Sequence, residues 1–195
     1  MNKLAKPVMV LASILLVSLF FLPMWNITLL APQYPDGVEM HIYINKIGGS
    51  SPGTLQNVNI LNHYIGMKKI EPDSIPELKY MPSIIVFFIV FGLLTAVLNK
   101  KWLFATWFIA FTLVLCIGLY DFYLWEYDYG HSLDANAPMK FDDESFQPPL
   151  IGRKVILNFV AISMPHIGGY LVALSLSLSA VAFWLSTKNT KIIAS

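Results

Sequence analysis

The sequence predicts a mainly α-helical integral membrane protein: four transmembrane helices and an extracytoplasmic cap of mixed α/β character formed by two long connections. Three observations lead there. The 195-residue chain is 56% hydrophobic and only 13% charged, about half the charged share of an ordinary soluble domain, and its mean hydropathy is +0.60. Its apolar residues gather in four runs, each near the ~20 residues that cross roughly 30 Å of hydrocarbon. Its acids and terminal lysines occupy different parts of the chain.

The first run, residues 7–25, carries no charge. Its apolar core is longer than that of a signal peptide and no small-residue cleavage site follows, so it reads as a retained transmembrane helix. Residues 26–81 form the first outer segment. In "VEMHIYINKI", Val38, Met40, Ile42 and Ile44 alternate with Glu39, His41, Tyr43 and Asn45, the period of a strand. Pro35-Asp36-Gly37 and Gly48-Gly49-Ser50 read as turns on either side, and "APQYP" as a partner strand. From Asn57 to Ile70, Val58, Leu61 and Ile65 recur at helical spacing, with Lys68 and Lys69 at the expected C-terminal end.

The second transmembrane helix is expected at 82–99, with Pro82 in its first turn, followed by a cytoplasmic turn at 100–101 and the third helix at 102–120. The second outer segment, 121–164, first continues that helix and then becomes turn-rich. "LIGRKVILNFVAISM" reads either as an interfacial amphipathic helix or as part of a last span broken at Pro165. The fourth transmembrane helix is expected at 165–186 and a cytoplasmic tail at 187–195.

Charge sets the orientation. Lys3, Lys6, Lys100, Lys101, Lys188 and Lys191 lie in pieces without acids, while every acid lies between Asp36 and Glu77 or between Asp121 and Glu144. The positive-inside rule then makes both termini and the Lys100-Lys101 turn cytoplasmic. In a bacterium this is a multi-pass protein of the inner membrane with periplasmic connections. A net charge of +1 and the absence of a basic arm exclude a nucleic-acid partner. The single Cys116 excludes an internal disulfide, a CxxC redox pair and a thiolate zinc cluster. The expected spans contain no Asp, Glu, Lys or Arg, so the usual residues of an ion path are missing. No catalytic signature is present, which points away from an enzyme.

All four histidines fall in the outer segments or at the start of the last span. Histidine and methionine without paired cysteines are a ligand set that suits copper, since thioether favours Cu(I). The candidate metal ligands are His63, Met67, His131, His41 and Met40; His63 and Met67 are four apart and would share one face of a continuous helix. The plainer reading is that such groups hydrogen-bond the cap together, because buried polar groups must be paired. Asp142-Asp143-Glu144 reads as a solvated turn.

"APQYPDG" at 31–37, "LNHYIGM" at 61–67, "YDYGHSLDANAPMK" at 127–140 and "QPPLIG" at 147–152 resemble the NosB-like small four-span bacterial membrane proteins associated with clade II nitrous oxide reductase. The resemblance covers both outer segments and the order of the spans. It implies a non-enzymatic accessory role in the maturation or support of a respiratory periplasmic copper enzyme. The implied partners are other membrane or periplasmic proteins of that system, besides the lipid bilayer. The family brings no catalytic residues to carry over. The matching positions include His63, Met67 and His131, and Asn62, Tyr64, Gly66, Asp128, Tyr129 and Gly130, the last six expected to structure the cap or its interactions. Two alternatives remain: a structural or assembly subunit of a membrane complex with no metal site, and a quinone- or lipid-binding redox partner using an aromatic groove around Trp125, Tyr127 and Tyr129.

Overall fold

The computed structural model describes residues 3–134, 137–138, 146–156 and 158–188. Among them, three helices are long and apolar enough to cross a membrane: α3 (Glu77–Leu98), α4 (Lys101–His131) and α5 (Ile167–Thr187). The first apolar run is shorter than 7–25. It makes α1 (Ala5–Leu15), tightens into a 3₁₀ turn (Leu16–Phe20) and then leaves helical geometry. Pro23 has no N–H to continue a helix, and Trp25, Ile27 and Thr28 favour extended backbone; β1 (Trp25–Ala31) begins there.

The helices close on a core of Met9, Leu16, Phe88, Phe104, Trp107 and Phe111. Small residues bring α1 close to its neighbours, as membrane packing requires. A side chain at Gly92 of α3 would run into Ser13, and Ser175 of α5 donates its hydroxyl to the Ala12 carbonyl at 2.7 Å. Gly168 and Gly169 serve a related purpose at the top of α5: Gly168 N–H reaches the Pro23 carbonyl at 2.9 Å, and a Cβ there would crowd that carbonyl at 2.6 Å.

Above this bundle lies a head: a five-stranded antiparallel sheet in the order β3-β2-β1-β5-β4, with helix α2 (Thr54–Ile65). Strand β2 spans Tyr34–Ile42 and β3 spans Ile47–Gly49. The alternation expected of "VEMHI" is present, with Val38 and Met40 buried against the core. The surrounding turns differ from the expected ones. The partners of β2 are β1 and β3, not a separate "APQYP" strand, and residues 35–37 belong to β2 itself. Gly37 holds φ at +86° beside the irregularity in register between Leu29 and Ala31. Gly48 and Gly49 pair with His41 and Met40 rather than forming a free turn.

Residues 150–164 are neither an interfacial helix nor part of the last span. They form a hairpin of β4 (Gly152–Ile156) and β5 (Phe159–Pro165) turning at Asn158. Val155, Ile156, Val160 and Ile162 are β-branched and favour a pleated surface, and β5 pairs along β1 from Leu30↔Val160 to Trp25↔Pro165.

Two helix boundaries also move. Helix α2 stops at Ile65, short of Lys68 and Lys69, because Gly66 takes a left-handed conformation at φ +79°. Its end is closed by Met67 N–H on the Asn62 carbonyl at 2.8 Å and Gly66 N–H on the His63 carbonyl at 3.3 Å, the paired bonds of a Schellman ending. Helix α3 starts at Glu77, so Pro82 sits inside the helix rather than in its first turn.

Candidate functional site

Helix α4 has 31 residues, roughly 46 Å at 1.5 Å per residue, against about 30 Å of hydrocarbon. Its length exceeds that thickness, and its last part, from Asp121, packs into the head as its spine. Phe122, Trp125, Glu126 and Tyr129 follow the i, i+3, i+4, i+7 spacing of one helical stripe. The stripe faces the sheet and α2. Trp25 meets Phe122 edge-on at 5.5 Å between ring centroids, Trp125 lies 4.4 Å from Tyr129, and the Tyr129 hydroxyl donates to the Lys69 carbonyl at 3.2 Å. Tyr127 turns away and stacks on His131 at 3.9 Å, so the three aromatics expected to line one groove face two directions.

Glu126 is the unusual member of the stripe. It is fully buried beside a cavity of about 50 Å³ bordered by Met40, Asn62, Met67, Trp125, Tyr129 and Phe146, among others. Neither carboxyl oxygen has a hydrogen-bond partner among the described residues. Burial in this apolar setting disfavours the charged form and pushes the carboxyl up to about 8. At neutral pH the group is an acid holding its proton, able to donate one hydrogen bond or to exchange the proton for a cation. Glu126 is not among the residues the sequence predicts for a site, although its place on the aromatic stripe is a usable signal.

The joints of the head surround this cavity. Lys68 Nζ meets Asp128 Oδ2 at 2.7 Å, and Ser132 donates to Asp128 Oδ1 at 2.7 Å. These donors hold the Asp128 carboxyl below its ordinary range. Asn62 is buried and donates to the Lys68 carbonyl at 3.1 Å, while Asn59 clasps Ile70 through its N–H (2.7 Å) and its carbonyl (3.1 Å). Gly66 is one contact point between the two outer segments, and Gly130 joins the end of α4 to a later part of its own segment. Asp134 N–H reaches the Gly66 carbonyl at 2.8 Å and Phe146 N–H reaches the Gly130 carbonyl at 3.1 Å. A side chain at Gly130 would collide with Gln147. Tyr64 points outward and is exposed.

The five expected metal ligands are dispersed. His63 is exposed on α2, with its ring 6.2 Å from Tyr64. Met67 follows the Schellman turn and packs into the core of the head, so the two do not share a helical face. His131 ends α4 with Nδ1 2.9 Å from the Tyr127 carbonyl. His41 and Met40, adjacent in β2, take opposite faces of the sheet: Met40 joins the cavity wall, and His41 lies on the outer face. There the His41 ring is 5.1 Å from His166, a neighbour outside the expected set, and its Nε2 is 3.8 Å from Glu39. The sheet register aligns Asn26 with both His41 and Met164. Asn26 Oδ1 and His166 Nδ1 are buried without a partner among the described residues. Burial, and then the charge of His166, lower the pKa of His41, with Glu39 opposing. Among the described residues, no three His, Cys, Asp or Glu side chains group to hold a metal ion. Asp142, Asp143 and Glu144 lie outside the described residues.

No family model, curated protein or solved structure matches the chain.

Proposed function

We propose that this chain is a four-span inner-membrane accessory protein whose head, on the periplasmic side, supports a copper enzyme of the nitrous oxide reductase system without itself catalysing a reaction. The observation that carries this reading is that the two acid-bearing connections fold into one head. Lys68–Asp128, Gly66–Asp134 and the Tyr129 hydroxyl on the Lys69 carbonyl join them around the spine of α4. A head consolidated in this way is a rigid platform on a membrane anchor, suited to holding another protein in place. The likeness of the strings around His63 and His131 to the NosB-like family supports the choice of partner. The segregation of lysines and acids supports the orientation, with both termini in the cytoplasm.

The fourth span in this reading is α1 with its 3₁₀ extension. Eleven residues at 1.5 Å and five at 2.0 Å reach roughly 26 Å, within a few ångströms of the hydrocarbon thickness. The test is affinity purification of the tagged full-length chain from native membranes, together with deletion of its gene. Enrichment of the reductase or its maturation factors, and loss of nitrous oxide reduction on deletion, are expected. A deletion strain that reduces nitrous oxide normally and a purification that enriches neither would overturn the proposal.

A further inference from the structure

Glu126 presents a problem that packing leaves unsolved. A carboxyl group with no partner is costly in an apolar wall unless it stays neutral or gains a cation. The cavity beside it, about 50 Å³, exceeds the ~10–15 Å³ that one water needs and falls well short of the ~150 Å³ of a cavity that admits a benzene ring. An organic ring is too large for it, and a bare metal ion fits. The other residues on the wall with donor atoms free of the backbone are Met40, Met67 and Asn62, whose amide N–H is already committed to Lys68. The rest of the described wall is hydrocarbon and aromatic, with no second acid, no histidine and no cysteine.

These donors define the ion. One carboxylate neutralises one positive charge, whereas a divalent ion would leave net charge buried in an apolar shell. Thioethers bind soft monovalent ions, and hard cations require several oxygens. We propose that the cavity is a binding site for a soft monovalent metal cation such as Cu(I), held by the Glu126 carboxylate together with Met40 and Met67. Entry of the ion displaces the carboxyl proton to solvent, so one cation is taken up for each proton released, and the buried charge stays balanced. The site uses Met40 and Met67 from the expected ligand set and none of the exposed histidines.

The cavity and the unpartnered Glu126 carboxyl are independent of the proposed partner. Metal uptake by the isolated chain tests the site, and co-purification tests the partner, so either can fail without the other. The experiment is titration of the purified full-length protein in lipid nanodiscs with Ag(I), and with Cu(I) under reducing conditions against a competing chelator, while proton release is followed in weak buffer. One equivalent of ion and about one proton are expected. Glu126→Gln should weaken binding at least about tenfold and abolish the proton release. Met40→Leu with Met67→Leu, which conserve volume, should weaken it while the protein stays folded by circular dichroism. His63→Ala and His131→Ala should bind as the natural sequence does. Absence of uptake by the folded protein, or uptake that survives the Glu126 and methionine substitutions, overturns the site.

Discussion

Glu126 and Asp128 lie two residues apart on α4 and respond to their surroundings in opposite ways. Asp128 faces Lys68 and Ser132 at the surface and stays charged, while Glu126 faces hydrocarbon and keeps its proton. The folded state therefore binds the Glu126 proton up to about pH 8, against an ordinary value of 4.5. Its contribution to stability is complete below the ordinary value and is lost as pH rises through that window, by at most about 1.4 kcal/mol per pH unit. Glu126→Gln removes the titration. The thermal stability of the variant is expected to overtake that of the natural protein as pH rises above 4.5, with the gap widening until about pH 8. A constant gap between the two pH profiles would show that Glu126 does not titrate in the fold. His41 carries the opposite dependence. Its lowered folded pKa means that stability is present above 6.5 and lost as pH falls below it. Replacing His166 with Gln removes the neighbouring imidazole, and the His41 pKa followed by NMR is expected to rise.

At the scale of elements, legibility followed the simplicity of the environment. The inner and outer faces of β2 were readable because one is buried against the core and the other is not. Strand β1 was hidden because Asn26 and Thr28 give only a short alternation between the first apolar run and Leu29, Leu30 and Ala31. The β4–β5 hairpin was hidden because its apolar residues lie on both faces: Ile156 and Ala161 are buried in the core, while Val155 is 65% exposed. A continuous apolar run cannot be assigned to helix or strand by periodicity alone. The end of α2 depends on one residue, Gly66, and the sequence signal there was a glycine preceding two lysines. Its φ of +79° disfavours any side chain, and a Cβ would also stand 2.9 Å from Ala137. Gly66→Ala is expected to cost at least about 1–2 kcal/mol and to loosen the contact with Asp134. Gly118→Ala has open space around it and should be close to neutral. Comparing their thermal unfolding separates backbone strain from a general intolerance of alanine.

At the scale of the whole molecule, the question is how α1 sits relative to the long helices. Its buried residues run from Ala5 through Met9 and Ala12 to Leu19, and those of α5 run from Gly168 through Ser175 to Ser186. Gly168 meets Pro23, and Ser175 meets Ala12. These paired stripes run antiparallel along almost all of α5, so a bilayer that contains α5 leaves α1 little room to lie elsewhere. The four-span reading and a three-span alternative differ at one end only. With four spans, the N-terminus, the Lys100-Lys101 turn and the C-terminus share a side; with three, the N-terminus moves to the side of the head. Cys116 is the chain's single cysteine, so a Cys116→Ser background makes the distinction measurable. Cysteines placed at Lys3, Lys100 and Lys188 should all resist a membrane-impermeant maleimide applied from the periplasm and react once the cells are opened, while one at His63 should react at once. Periplasmic labelling at position 3, with Lys100 and Lys188 protected, would show that α1 does not cross, and the antiparallel stripe would then belong to a re-entrant helix held against α5 by Ser13, Gly92 and Ser175.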